Sequence, residues 1–438
     1  MSIFGALDTA VSGLQAQSGA FTNISDNIAN SQSVGYKGVN TNFINYLTQS
    51  TPTSNGSDAV VAQPQYTNDV QGAVSQSTDP LAMAISGNGF FAVSQAAANA
   101  TGASTTTQTF QSQQYYTRAG DFTLNNKGYL VNGEGAYLDG WAVNPTTGAV
   151  NTASLAPIQV PQGNVAPIAT STASLSAELP ATPTPGQPVS TQISVYDSLG
   201  TMHQLNLNWT QNATNDWTVT ISSPDATPST IGTAEIKFGN TSGNPVAAGT
   251  IGSITNATGA LAGSTYASGG AATLSLSANF GSGAQPIALN LGSFGSTTGL
   301  TQYAGTSFNL LGSSQNGMPQ GSFSNVTIDS QGNVAVNYSN GFSQTVAQIP
   351  LATFHAPDAL QNQSAQLFTA SQGSGGASVN AVGTNGSGGI DTGSVESSNV
   401  DIATEFTKLI AAQEAYSANS KVITTANQLA QTTINMLP

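Results

Sequence analysis

Few residues of this chain have the chemical type and the spacing that catalysis requires. The two histidines, His203 and His355, each lie in a strand-like stretch with no acid and nucleophile arranged around them, so we expect both to be structural. The chain contains no cysteine, which excludes disulfides, thiolate nucleophiles and thiolate metal sites. The sequence therefore predicts a protein that is not an enzyme, with no catalytic residue, no metal site and no cofactor.

The acidic and glycine-rich motifs are typical of turns. Four aspartates stand beside turn residues, where side-chain hydrogen bonds stabilise a turn: Asp139, Asp197, Asp216 and Asp329. The SGNGFF segment around Gly87 and Gly89 superficially resembles a phosphate-binding loop, but the pattern after it indicates a strand and not a helix. We therefore interpret these motifs as turns between strands.

Composition and charge limit the partners. A length of 438 residues predicts two or three domains. The formal net charge is −14 and the six basic residues are scattered, which argues against binding to nucleic acid or to an anionic membrane. The N-terminal residues lack the pattern of a cleavable signal peptide, and no apolar run is long enough to span a membrane. We therefore expect either a cytoplasmic protein or one exported through an uncleaved N-terminus, and the low charge favours export.

Both ends of the chain repeat apolar residues every seven positions. The N-terminal seam comprises Leu7, Leu14, Phe21 and Ile28, and the C-terminal seam comprises Ile402, Leu409, Tyr416, Ile423 and Leu437. A period of seven indicates a helix that packs along one face against other helices. Either seam alone would also fit an ordinary amphipathic core helix. Their presence at both ends predicts that the terminal helices pair as a coiled coil and that the seam residues contact neighbouring copies in a polymer.

Periodicity also predicts the fold class, which is mainly β with terminal α-helices and two nested β-rich domains between them. The predicted parts are an N-terminal axial helix (1–30), an extended connector (31–75), a discontinuous middle domain (76–162 and 316–370), an inserted outer domain (163–315), a flexible linker (371–397) and a C-terminal axial helix (398–438). Gly35 can supply the stop of the first helix. Ser398 and Asp401 have capping-box spacing at the start of the last helix.

Three segments resemble the rod and hook axial proteins of the bacterial flagellum. The first, ANSQSVGYKG at 29–38, resembles a signature shared by rod and hook subunits and includes Asn30, Gly35, Tyr36 and Lys37. The second, at 397–431, resembles their shared C-terminal helix, with Asn399, Val400, Asp401, Glu405, Gln413, Tyr416, Asn419 and Lys421 at matching positions. The third, at 195–217, resembles the outer domain of hook subunits in particular.

The resemblance implies a structural subunit that polymerises into the flexible curved tube of the hook and acts as a universal joint, transmitting torque from rod to filament. It implies that the main partner is the chain itself, with the rod, hook cap, hook–filament junction proteins and flagellar export apparatus as further partners. It also implies an extracellular location, reached without a cleaved signal peptide. The alternatives are a distal rod protein or, from another class, a secreted β-rich enzyme or adhesin.

Overall fold

The chain divides into two compact units. The computed structural model describes residues 3–51, 54–97, 108–184, 189–241, 243–364 and 366–435. The first unit comprises Met1–Gln162, Asn325–Asn337 and Ser343–Pro438, and the second comprises Gly163–Ser324 and Tyr338–Phe342. In sequence, the second unit therefore interrupts the first.

Each end of the first unit is helical. Helix α1 spans Ile3–Ala29 and helix α2 spans Ile402–Asn435. At 1.5 Å per residue, α1 is roughly 40 Å long and α2 roughly 50 Å. The two helices contact each other. With strands forming most of the remaining regular structure, this confirms the predicted fold class of a mainly β protein with paired terminal helices.

A long hairpin follows α1 where the sequence predicted an extended connector. Strand β1 (Val39–Thr51) pairs antiparallel with β2 (Ser54–Tyr66). The hairpin packs on α1, where Asn23 Nδ2 donates to Thr41 Oγ1 at 2.9 Å. Apolar side chains such as Phe43, Ile44 and Val61 are exposed on the hairpin. The alternation that marks a half-buried strand is therefore weak here, and the sequence pattern missed both strands.

The β-rich part of the first unit begins with short strands. They are β3 (Val74–Gln76), β4 (Met83–Ser86), β5 (Phe90–Ser94), β6 (Tyr115–Thr117), β7 (Thr123–Leu124), β8 (Leu130–Val131), β9 (Tyr137–Ala142) and β10 (Ala156–Pro157). The SGNGFF segment lies between β4 and β5, as the sequence predicted. Asp139, predicted to stabilise a turn, lies instead within β9. It is buried and accepts hydrogen bonds from Ser94 Oγ at 2.8 Å and Gln114 Nε2 at 2.6 Å, because an unpaired buried carboxylate would be costly.

The second unit contains two sheets over one core. Its strands are β11 (Thr172–Pro180), β12 (Val189–Tyr196), β13 (Met202–Ala213), β14 (Asp216–Ser222), β15 (Thr230–Phe238), β16 (Ile251–Thr255), β17 (Leu261–Gly263), β18 (Ala271–Asn279), β19 (Ala284–Ser293), β20 (Leu300–Tyr303) and β21 (Asn309–Gln315). One sheet has the order β12-β13-β14-β15-β16, and the other has β17-β18-β19-β11-β20 with β21 on β11. Inward-facing residues alternate along the strands, and Trp209 and Trp217 are buried in the core between them.

The chain then returns to the first unit through β22 (Phe323–Ile328), β23 (Asn333–Tyr338), β24 (Ser343–Gln348), β25 (Leu351–Thr353), β26 (Gln361–Asn362), β27 (Phe368–Thr369), β28 (Ser378–Asn380), β29 (Gly389–Thr392) and β30 (Ser394–Glu396). The main sheet runs β22-β23-β24-β9-β5-β6-β27-β26, with β25 joining β28 to β5. Residues 371–397, predicted as a flexible linker, carry three of these strands. Strand β29 pairs with β4 and β30 pairs with β3, so backbone pairing overrides the glycine- and serine-rich composition.

Candidate functional site at the junction of the terminal helices

The terminal helices run antiparallel. Gly13 in the first half of α1 faces Asn419 in the second half of α2, whereas Asn27 near the end of α1 contacts Glu405 near the start of α2. A Cβ atom added at Gly13 would lie 2.8 Å from Asn419 Nδ2. Glycine therefore allows a close approach that a larger residue would permit only if the Asn419 side chain moved.

Asn27 joins both helices to the hairpin. Its Nδ2 donates to Glu405 Oε2 at 3.2 Å and to the Val39 carbonyl at 3.0 Å, while its Oδ1 accepts from Val39 N at 2.9 Å and from the Tyr36 hydroxyl at 3.3 Å. The buried Glu405 also accepts from Lys408 Nζ at 2.6 Å. The buried amide and carboxylate are thus satisfied only when α1, β1 and α2 are all in place.

Asp401 caps the start of α2 at Ile402, so the helix begins later than Ser398, where the capping-box spacing predicted its start. The backbone N–H of Thr404 donates to Asp401 Oδ1 at 2.7 Å, and this hydrogen bond lowers the pKa of the Asp401 carboxyl. Ser398 precedes the helix because the chain is still extended there, with Ser397 N paired to the Ala73 carbonyl at 2.8 Å. Helix α2 therefore starts directly from a strand pairing.

The turn after α1 brings the chain against the β-rich part of the first unit. Asn30 Nδ2 donates to the Asp26 carbonyl at 2.9 Å and helps to end the helix. Gly35 was predicted to end α1, but the helix ends at Ala29 and Gly35 lies beyond it with φ +68°. The N–H of Gly35 donates to the Glu396 carbonyl at 2.7 Å. A Cβ atom at Gly35 would lie 2.4 Å from Ala119 N, so both its backbone conformation and the close contact require glycine.

Three buried charged side chains form the centre of this site, which we call the junction network: Lys37, Arg118 and Glu396. Lys37 Nζ lies 2.6 Å from Glu396 Oε1, and Arg118 Nη1 lies 3.1 Å from Glu396 Oε2. Oε1 also accepts from Gly72 N at 2.8 Å, and Lys37 Nζ donates to the Val70 carbonyl at 2.6 Å. The Glu396 side chain is 0% exposed. One carboxylate therefore joins three segments that are far apart in the sequence.

Burial dominates the electrostatics of the junction network. It lowers the pKa of Lys37 and of Arg118, and the attraction of Glu396 opposes the shift in both. Arg118 is further held by the Gly87 carbonyl, 2.9 Å from Nη2, and by the Phe90 ring, whose centroid is 5.1 Å from Cζ. With two cations and one anion buried together, removal of Glu396 would leave both cations uncompensated.

Asn399 connects the start of α2 to the segments on either side of the hairpin. Its Oδ1 accepts from Gly38 N at 2.8 Å, and its Nδ2 donates to the carbonyls of Thr67 and Val70 at 3.1 and 3.2 Å. The neighbouring Val400 packs closely on Gly38. These contacts and the junction network fix the direction in which both helices leave the β-rich part of the first unit.

Comparison with known proteins finds four family models that match this chain. The family model described as "Flagella basal body rod protein" matches residues 7–37, and "Flagellar hook protein FlgE/F/G D1 domain" matches 84–176. "Flagellar basal body protein FlaE D2 domain" matches 169–318, and "Flagellar basal body rod FlgEFG protein C-terminal" matches 391–436. Lys37, Arg118 and Glu396 each lie in a different one of these matches.

Relatives of this chain match over its whole length. The flagellar hook protein FlgE of Brucella abortus biovar 1 (strain 9-941) is 30% identical over 440 residues, covering 100% of both chains. The chain belongs to the flagellar hook protein FlgE family. FlgE of Salmonella typhimurium is 31% identical over 446 residues, covering 98% of each chain. The crystal structure of Helicobacter pylori FlgE2 matches with a TM-score of 0.49 and 14% identity, over 74% of this chain and 100% of that one.

As a member of the FlgE family, the chain is a structural subunit of the flagellar hook, a homopolymeric assembly. The described residues contain no group of three or more His, Cys, Asp or Glu side chains placed to hold a metal ion. In the same part of the chain, no helix is long and apolar enough to cross a membrane. The junction fixes the position of two long helices relative to the β-rich part of the first unit.

The predicted N-terminal seam lies beside the most buried positions of α1. Leu7, Leu14, Phe21 and Ile28 are all half-buried in this hook-family chain. Among the positions of the helix whose burial is described, Ala10, Ala16, Ala20 and Ile24 are the fully buried apolar ones. The seam residues therefore pack at the edges of the contacts with α2 and the hairpin, and their outer parts stay accessible.

The predicted C-terminal seam shows the same displacement. Leu409 and Ile423 are half-buried, Ile402 and Tyr416 are exposed, and Leu437 lies outside the described residues. Of the α2 positions with described burial, Glu405, Ala412 and Ala426 are buried, and they lie on one side of the seam. Among the other residues of the resemblance, Gln413 is exposed and Asn419 is half-buried.

Sequence reasoning missed Arg118, Glu396 and Asn27 as parts of the site. A signal was present for the first two, because only 6% of residues are charged and Arg118 interrupts a strand pattern of aromatic residues. In a chain with so few charges, a charged residue next to a buried strand indicates a buried ion pair. Asn27 had no such signal, because asparagine is common in this sequence.

Proposed function

We propose that copies of this chain polymerise through their terminal helices into a flexible curved tube that transmits torque from rod to filament. The observation that carries this proposal is the number of large apolar side chains exposed on α2. They are Ile402, Phe406, Ile410, Tyr416, Val422 and Leu429. Three of them, Ile402, Phe406 and Ile410, follow one face of the helix. A contiguous apolar surface of this kind marks an interaction site, and membership in the FlgE family supports further copies as the occupant.

In this proposal the junction network acts as the rigid link of the subunit. Lys37, Arg118 and Glu396 hold the helix pair to the β-rich part of the first unit, so a force on the helices reaches that part without bending the junction. The predicted seam residues, from Leu7 to Ile28 and from Ile402 to Leu437, are proposed to contact neighbouring copies, those among the described residues through the surfaces they leave exposed.

The proposal extends to further partners and to location. We propose that the tube contacts the rod, hook cap and hook–filament junction proteins, and that subunits reach the outside through the flagellar export apparatus without a cleaved signal peptide. The absence of cysteine supports this route, because no disulfide can form before export. Export of the chain with an N-terminus at Met1 or Ser2, measured by mass spectrometry of secreted protein, tests it; removal of a longer N-terminal segment would contradict it.

We also propose that residues 163–315 form an independently folding outer domain. The buried cluster from Ala173 to Leu300 supports this, since it is drawn from that segment alone. Limited proteolysis should release a stable fragment of this region. Its complete digestion while the remainder survives would contradict independence.

Removal of the terminal helices tests the main proposal. A chain lacking residues 1–30 and 399–438 keeps Lys37, Arg118 and Glu396 and should remain a soluble β-rich monomer. Electron microscopy after salt-induced assembly should show tubes of the full chain and none of the truncated chain. Tubes of the truncated chain would place the polymer contacts elsewhere.

A further inference from the structure

Helix α2 carries an apolar stripe on a side that α1 does not cover. Ile402, Phe406 and Ile410 are spaced four residues apart and are 41, 50 and 55% exposed. Residues four apart on a helix lie above one another on one face. We call these three residues the α2 stripe. They form a row of large side chains with nothing packed on their outer surface among the described residues.

A different side of the same helix borders a groove. The groove lies between α1, β1 and α2, has a volume of about 460 Å³ and is lined mainly by small or apolar side chains: Ala20, Ile24, Phe43, Ala411, Ala412 and Ala415. We call it the alanine groove. The alanines leave the space, because a larger residue at these positions would fill it.

The α2 stripe and the alanine groove face away from each other on one helix. At 3.6 residues per turn, Ala411 lies roughly 140° around the axis from Phe406. A single copy therefore cannot bring its own stripe into its own groove. A neighbouring copy can, and this kind of contact joins two different surfaces, so that it repeats from copy to copy without closing on a pair.

The charges beside the two surfaces are complementary. Lys408 lies at the groove, where Nζ contacts Glu405 Oε1 and Asn40 Oδ1 and remains 42% exposed. Exposed Glu414 follows Ile410 by about one turn along the stripe side of α2. Glu405 also lines the groove but is buried, so the exposed charge at the groove is that of Lys408. An incoming stripe therefore brings an acid toward an exposed base.

We infer that the α2 stripe of one copy docks in the alanine groove of the next copy along the polymer. The inference rests on the proposed homopolymer and names the surfaces through which it grows. Burial of Phe406 and Ile410 in an apolar groove supplies the driving force. Each copy presents the α2 stripe on one side of the helix and the alanine groove on another. The contact between copies therefore has a direction, which a tube growing by addition of copies requires.

Cysteine cross-linking tests the contact cleanly because the chain has no cysteine of its own. Two single variants, Phe406→Cys and Ala411→Cys, are mixed, assembled into tubes and oxidised. We expect covalent dimers in the mixture and none in tubes of either variant alone. The double variant should give a ladder of dimers, trimers and longer species. Its two cysteines cannot form a disulfide within one chain, because positions 406 and 411 are about 7.5 Å apart along the helix axis, beyond the usual Cα separation of a disulfide.

Three results would overturn the inference. One is tubes without cross-links between positions 406 and 411. Another is efficient self-cross-linking of Phe406→Cys, which would indicate stripe-on-stripe pairing. The third is normal assembly of Ala411→Trp, because an indole at this position fills the groove and should raise the concentration needed for assembly at least tenfold. Ala418→Trp, at an exposed position two turns beyond Ala411 and outside both surfaces, is the matched control and should assemble normally. Absence of tubes from the unmodified chain would instead contradict the proposed function.

Discussion

Phe21 of α1 and Tyr416 of α2 meet edge to face within one chain, with ring centroids 6.3 Å apart and planes inclined at 68°. Both were predicted as seam residues from a period of seven, and the fold brings them together across the antiparallel helix pair. Tyr416 is still 43% exposed. Each ring therefore has one side in the intrachain contact and another available to a neighbouring copy.

The Phe21–Tyr416 contact should contribute measurably to the monomer. We predict a coupling energy of about 0.5 kcal/mol in a double-mutant cycle of Phe21→Leu and Tyr416→Leu, the lower end for aromatic pairs because the site is partly exposed. Urea unfolding of the four proteins measures it. A coupling of zero would mean that the helix pair is not formed in the monomer.

Loss of the central carboxylate of the junction network should destabilise the first unit strongly. Glu396→Gln leaves Lys37 and Arg118 buried without a counter-charge, and we expect a loss of about 3–5 kcal/mol in the free energy of unfolding. Denaturant unfolding of the monomer measures this, with Glu414→Gln on the exposed side of α2 as the control.

A triple variant separates charge compensation from a general loss of packing at this site. Lys37→Met, Arg118→Met and Glu396→Leu together remove all three charges, and this chain should be more stable than Glu396→Gln alone because no unpaired charge stays buried. Equal instability of the two variants would show that packing, and not charge, decides the effect.

A charge on the C-terminal seam should weaken both the helix pair and assembly. Leu409 is half-buried beside Glu405 and Ala412, so Leu409→Asp places a carboxylate in a largely apolar contact, at a cost of about 1–3 kcal/mol. Sedimentation of assembled tubes should show little polymer. Ala418→Asp, at an exposed position of the same helix, is the control. Equal loss of assembly in both variants would mean that Leu409 has been wrongly assigned to the seam.

Stability should fall between acidic and alkaline pH because of Glu134. Burial, with the nearby Asp121 carboxylate as a second cause, raises the pKa of Glu134 from its usual 4.5 to about 8. Since the folded state then binds a proton that the unfolded state has lost, this contribution to stability is full below pH 4.5 and disappears as pH rises to about 8. Urea unfolding at pH 5 and pH 9 measures the difference. Glu134→Gln should reduce it, and an unchanged difference would assign the pH dependence to other groups.

The sequence by itself determined the fold class and the family. Apolar periods of seven at both ends and of two between them follow directly from helix and strand geometry, so they can be read without knowing the partners. The same holds for the turn segments and for the family segments that contain Lys37 and Asn399. These features are local, and their physical cause lies within a few residues.

Only the tertiary structure decided what the signature residues do. Lys37, Arg118 and Glu396 are separated by many strands, and nothing in their spacing indicates that one carboxylate compensates two cations. The hairpin of β1 and β2 was hidden because the side chains described on it are partly or fully exposed and do not alternate between buried and exposed. The buried faces of α1 and α2 lie beside the predicted seams, since each helix packs on the other and α1 also packs on the hairpin. Burial depends on which surfaces meet, and that is a property of the fold and not of any one segment.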